Sequence, residues 1–182
     1  MDIITVQKRD AAAKAKQLRR SGLVPGNIFG GTLPESISIQ IDEATARKLV
    51  RIKREGSKLR LTLDDQVIPV QIKEKTLDTL SQEIIHISFQ ALRADQKVNS
   101  VIHILLKNID KVTGILERSM LEIPYASLPA DMIDTITIDL EGIRTGSVLT
   151  IGDIPDLQNE KIDLQVDADS IILRISDKNR AA

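Results

Sequence analysis

The sequence predicts a mainly β protein built as two domains, with one or two helices in the first. Three observations predict it. Ile, Leu and Val dominate the apolar residues, while Phe29, Phe89 and Tyr125 are the only aromatics. Branched aliphatic side chains fit the pleated, half-buried surface of a sheet. Alternation of polar and apolar residues recurs along the chain, as expected of strands with one face on a core. The charge balance also changes along it: residues 1–91 carry 15 Lys and Arg against 11 Asp and Glu, and residues 92–182 carry 10 against 15. The boundary is therefore expected between residues 91 and 95, giving domains 1–91 and 92–182.

In order, Ile3-Ile4-Thr5-Val6 is a short strand candidate. Residues 11–20 are rich in Ala, Lys, Arg, Gln and Leu, which favour helix, with Asp10 expected to cap the start and Ser21-Gly22 to end it. Leu18 is the only large apolar residue there, so this helix is expected to be short, cationic and superficial. Val24-Pro25-Gly26 and Gly30-Gly31 bracket Asn27-Ile28-Phe29 as loop and strand material. Residues 36–41 alternate as a half-buried strand. Asp42 is expected to cap a helix reaching about Lys53, with Ala46, Leu49, Val50 and Lys53 spaced along one side. Residues 59–63 and 67–72 flank Asp64-Asp65 as a hairpin. Residues 83–89 form another strand, with Ile85, Ile87 and Phe89 on one face and His86 and Ser88 on the other. In the second half, residues 101–106, 119–123, 135–140, 161–166 and 171–175 are strand candidates. Residues 125–131 read as a short helix or loop, and residues 151–155 as a turn with an Asp cap.

Several kinds of chemistry are disfavoured. There are no cysteines and only two histidines, His86 and His103, so neither disulfides nor an ordinary zinc site is expected. Gly30-Gly31 lacks the Gly-Lys-Ser/Thr ending of a phosphate loop, and Ser147 does not sit in a nucleophile elbow. No nucleophile–base pair stands out, so no enzyme activity, cofactor, metal or small-molecule substrate is expected. No stretch of about 18 apolar residues occurs, and Lys8, Arg9 and Asp10 interrupt the first apolar segment, so neither a membrane span nor a signal peptide is expected. The chain reads as cytoplasmic.

The remaining signal is cationic. Lys8, Arg9, Lys14, Lys16, Arg19 and Arg20 lie within thirteen residues beside one carboxylate, Asp10. On a helix, Lys16, Arg19 and Arg20 share a face, where like charges repel mildly unless an anion neutralises them. Phosphate would do so, and guanidinium groups offer it paired hydrogen bonds. The ordinary alternative is a solvated charged face. A second run from Arg47 to Arg60 is better explained that way. With so few aromatic rings, stacking of single strands is a poor fit, and duplex RNA read through phosphates, 2′-hydroxyls and groove shape is a better one.

The segment Leu18-Arg19-Arg20-Ser21-Gly22-Leu23-Val24-Pro25-Gly26-Asn27-Ile28-Phe29-Gly30 resembles the Leu-Arg-x-x-Gly-x-Val-Pro-Ala-x-x-Tyr-Gly signature of bacterial 5S rRNA-binding large-subunit ribosomal proteins of the general stress protein (CTC) family. Val70-Gln71-Ile72-Lys73-Glu74 and residues 83–89 are similar to that family's Ile-Lys-Glu and Ile-x-His-Val-Asp-Phe segments, and residues 148–154 resemble a stretch of its two-domain form. The resemblance implies an N-terminal, partly open β-barrel that grips 5S rRNA and a C-terminal all-β, acidic domain. It also implies partners among neighbouring large-subunit proteins. By position it places Arg9, Arg19, Arg20, Phe29, Lys73 and His86 on or beside RNA-facing sites; Lys14, Lys16 and Ser88 complete the candidate set. The chain departs from the signature at Gly26 and Asn27, at Phe29 for Tyr, at Thr76 for Gln and at Ser88 for Asp. Each lost neutral hydrogen bond would cost about 0.5–1.5 kcal/mol. The alternative is a divergent, stress-associated paralogue with weak rRNA affinity that acts through protein contacts.

Overall fold

Residues 3–10 and 12–177 are described by a computed structural model. The chain divides after Gln96 into two compact units. In the first, β1 (Ile3–Thr5), β2 (Gln7–Lys8), α1 (Ala15–Arg20), β3 (Leu23–Phe29), β4 (Ile37–Asp42), α2 (Glu43–Ile52), β5 (Lys58–Leu63), β6 (Gln66–Leu77) and β7 (Ile84–Ala91) follow one another. The strands form one sheet in the order β1-β5-β6-β7-β3-β4-β2. β1 and β2 are a single extended stretch interrupted at Val6. β1 runs parallel to β5 and β2 antiparallel to β4, so this short stretch ties the two ends of the sheet together. The result is a nearly closed barrel. Val24, Ile28, Ile39, Ile41, Leu59, Leu61, Ile72, Ile87 and Phe89 fill it.

Local chemistry explains most element ends. Asp42 accepts a hydrogen bond from the Thr45 amide at 3.0 Å and starts α2, which buries Ala46 and Leu49. Asp64 and Asp65 both take left-handed backbone angles (φ 46° and 63°), which match the twist of the hairpin joining β5 to β6.

Three expectations need correction. The first helix covers only Ala15–Arg20. Asp10 does not cap it: the Asp10 carboxylate accepts from the Ala12 amide at 2.9 Å and its carbonyl from the Ala13 amide at 3.1 Å, making a separate turn. Ala11 lies outside the described residues. Of the segment read as loop and strand material, residues 23–29 are strand throughout. Pro25, which has no N–H to give, pairs with Gln40 of β4, and the parallel ladder to β7 begins at the next residue. A Cβ on Gly26 would sit 2.6 Å from the Ile87 carbonyl oxygen, so glycine sets how closely β3 approaches β7. In β7, Ile87 and Phe89 face the core, but the register shifts opposite Thr76 and Leu77, so Ile84 rather than Ile85 takes the inward place.

The second unit is all β apart from three short 3-10 turns. β8 (Val98–Lys107), β10 (Glu122–Ser127), β11 (Thr135–Asp139) and β13 (Ile162–Leu164) form a four-stranded sheet. β9 (Ile115–Arg118), β12 (Val148–Thr150) and β14 (Ile171–Ser176) form a three-stranded one. Ile102, Ile123, Ile138, Leu173 and Ile175 lie in the core shared by both sheets. The expected strand at 119–123 is mostly the link between β9 and β10, and the expected helix or loop at 125–131 begins as strand. Tyr125 explains the latter: its ring is fully buried, and its hydroxyl donates to the Ile133 carbonyl (3.0 Å) and accepts from the Ile133 amide (2.9 Å). The expected turn at 151–155 is a 3-10 turn capped by Asp153, whose carboxylate accepts from the Thr150 amide and hydroxyl.

Candidate nucleic-acid interface

Strand parity fixes which side chains leave the barrel. On β3, Val24, Gly26 and Ile28 point inward, so Pro25, Asn27 and Phe29 belong to the outer face. Register then aligns polar rows across the strands. Phe29, Gln90 and Gln71 form one row; Ser38, Asn27, Ser88 and Glu74 form the next. Gln7 and Gln40 of the neighbouring strands continue the face, and His86 pairs with Thr76 beyond them. The row members hold one another. Gln71 Nε2 donates to Gln90 Oε1 (2.8 Å), Gln40 Nε2 to Gln7 Oε1 (3.1 Å) and Asn27 Nδ2 to Ser36 Oγ (3.3 Å). Asn27 Oδ1 is shielded from solvent and has no hydrogen-bond partner. Phe29 is half-buried on this outer face, and Phe89, not Phe29, is the core aromatic.

The basic segment borders one end of the face. Leu18 anchors α1, leaving Lys16 and Arg20 exposed. Lys16, Arg19 and Arg20 share a cleft with Leu23, Val24, Glu43, Glu83 and Ile84. Arg19 Nη1 donates to the Ile85 carbonyl of β7 at 3.4 Å, a long bond that ties the helix to the strand carrying His86. Arg9 donates from Nε (3.2 Å) and Nη2 (2.5 Å) to the Ala13 carbonyl, pinning the turn before α1. Its positive charge is felt at His86. Lys14 is exposed at the helix start. Lys73 is exposed on β6 where the register shifts between Ile72 and Glu74, so it is the extra residue of a bulge. Arg9, Arg19, His86 and Ser88 are thus brought together; Lys14 and Lys73 lie toward the margins.

Sequence reading did not pick out Gln7, Gln40 or Gln90, nor Gln71, which belongs to the same row but is fully buried. The parity signal was present in each strand, but only the strand order shows that Gln7, Gln40 and Gln90 share one surface. It also passed over Lys75, which is structural: its ammonium donates to the Lys53 carbonyl at 2.9 Å, just past the end of α2. Burial lowers the Lys75 pKa, opposed by the nearby Glu55 carboxylate.

Burial is also the main cause of a lowered His86 pKa; Glu74 opposes it and Arg9 reinforces it. Ser88 Oγ lies 3.4 Å from His86 Nδ1. The resting imidazole is therefore biased toward the neutral form, and protonating it opposes folding as pH falls below the ordinary histidine value of about 6.5. A phosphate beside the ring would favour the charged form instead, so binding would take up a proton. RNA affinity should then rise as pH is lowered from about 7.5 to about 6, and His86→Gln should remove that rise. Titrations of wild type and variant across this range check it; a pH-independent wild-type affinity contradicts the contact.

Residues 4–89 match the model of the ribosomal L25p family, and residues 97–179 match that of the ribosomal protein TL5 C-terminal domain. A protein of Dictyoglomus turgidum named large ribosomal subunit protein bL25 is 30% identical over 171 residues, 87% of this chain and 82% of the relative. The chain belongs to the ribosomal L25p family. Relatives of the same name in Nitrosomonas europaea (28% identical, 86% of this chain and 82% of the relative) and Bacillus licheniformis (26%, 85% and 76%) agree. The polar rows and basic helix fall almost wholly inside the L25p match. Among the described residues, no helix is long and apolar enough to cross a membrane.

Proposed function

We propose that this L25p-family chain, a constituent of the large ribosomal subunit, binds 5S rRNA with the outer face of its barrel and the basic segment beside it. The observation that carries this reading is the coincidence of two surfaces. A polar sheet face with one half-buried ring is flanked by Lys16, Arg19 and Arg20 and met at His86 by Arg9. The cations supply affinity through phosphates, independent of sequence, and the helix face presents them within a single turn. The amides and hydroxyls of Asn27, Gln40, Ser88 and Gln90 suit ribose hydroxyls and base edges in the wide minor groove of an RNA duplex. Phe29 gives one ring, enough to cover one base but not to stack a strand.

Its action is binding rather than catalysis, and it resides with ribosomes in the cytoplasm. The second unit contacts neighbouring large-subunit proteins in this reading. Sedimentation of cell extract on sucrose gradients tests it: the chain should travel with large subunits at low salt and leave them as salt rises. Free protein at every salt would instead favour a stress-associated paralogue acting through protein contacts.

A further inference from the structure

A second surface lies on β1, β5, the first half of β6 and α2. Its composition is different. Ile3 is 59% exposed, Ile52 57% and Val67 53%, whereas the inward neighbours Ile4 and Leu61 are buried. Register places Ile3 beside Arg60 and Arg60 beside Pro69, so an apolar row is interrupted by one cation. Ile3 and Ile52 line a cleft between β1 and α2 of about 330 Å³, whose other charged lining residues are lysines, including Lys48. Among the described residues, no carboxylate lines it. Among the described residues, neither Lys48 nor Arg60 forms an ion pair. The run from Arg47 to Arg60, which looked like a solvated face in the sequence, therefore borders exposed aliphatic surface.

We infer that this cleft docks an acidic protein segment, which places an apolar side chain between Ile3 and Ile52 and carboxylates against Lys48 and Arg60. Nucleic acid fits it poorly, because exposed aliphatic side chains offer phosphates and ribose no hydrogen bonds. Apolar centres with charged rims are the pattern of protein interfaces. Opposite charge on the rim selects the partner's sign and sets its orientation. Its lining shares no residue with the basic cleft beside the rRNA face, so a single molecule can hold RNA and protein at once.

The test uses large subunits purified from cells whose chain carries photoreactive benzoylphenylalanine in place of Ile52, with the same label at Asp65 as control. Irradiation should join position 52, but not position 65, to a neighbouring protein at a segment rich in Asp or Glu. Lys48→Glu with Arg60→Glu should reduce that product roughly fivefold or more without removing the chain from the subunit. Crosslinks to rRNA or to the chain's own second unit, no crosslink at all, or a yield indifferent to charge reversal would overturn the inference. A chain absent from the subunits, read by immunoblot of the same sample, would overturn the large-subunit reading as well.

Discussion

Replacing Lys16 and Arg20 together with alanine is expected to weaken binding to 5S rRNA roughly 30-fold or more near physiological salt, from two lost charge-assisted contacts. Both side chains are exposed on α1, whose only buried residue is Leu18, so the fold should be untouched. The diagnostic is the salt dependence. Each phosphate contact contributes about one to the slope of log affinity against log salt, so the double variant should lose about two. Anisotropy titrations at several salt concentrations give both numbers. An unchanged slope would mean that the helix is only a solvated face. Arg19 is a less clean target, since its guanidinium also reaches the Ile85 carbonyl; Arg19→Lys would separate charge from that tie.

Gly26→Val should produce the largest loss of stability, about 3 kcal/mol, because it overfills a seam that has no room to give. A Cβ there meets the Ile87 carbonyl at 2.6 Å and the Ile39 side chain at 3.4 Å. Valine adds two more carbons to the same space and forces β3 away from β7. Those two strands carry Asn27, Phe29, His86 and Ser88, so RNA affinity should fall along with stability. Gly26→Ala should cost less, since alanine is the usual residue of the signature this segment resembles. Urea unfolding and amide exchange of the β3 and β7 backbone measure the effect. Wild-type stability in the valine variant would show that the strands separate freely.

Much of the fold is legible in the sequence because alternation is a local signal. The segments at 36–41 and 59–63 show it without ambiguity, and Asp42 marks the start of α2 by its own capping chemistry. What failed depended on partners. Pro25 and Gly26 look like loop residues in isolation, yet a central strand accepts them because β7 pairing begins only at Gly26. Ile85 continues an inward series by spacing alone, but the irregular register against β6 hands its place to Ile84. Asp10 has the right chemistry for a cap and spends it on a turn four residues early. The candidate site divides in the same way. The basic cluster is contiguous in sequence and easily seen. The glutamine rows are assembled from four strands, and no single segment reveals them.

The departures from the family signature also take on a physical meaning. Ser88 and Thr76 stand on the outer face beside Glu74 and His86, so they change the chemistry of that face rather than the core. Phe29 keeps its place on the surface without the hydroxyl of tyrosine. In the proposed reading, these substitutions bear on RNA affinity, not on whether the barrel forms.

The most direct test of the central claim is competition binding of the purified chain to a 5S rRNA fragment against an unrelated hairpin of equal length, at near-physiological salt. A preference of at least about a hundredfold is predicted, lying in the polar rows rather than in the cations, since phosphate contacts carry no sequence information. Asn27→Ala with Ser88→Ala should shrink that preference while leaving hairpin binding unchanged. Equal affinity for the two RNAs, or a preference indifferent to the Asn27 and Ser88 substitutions, would contradict the account.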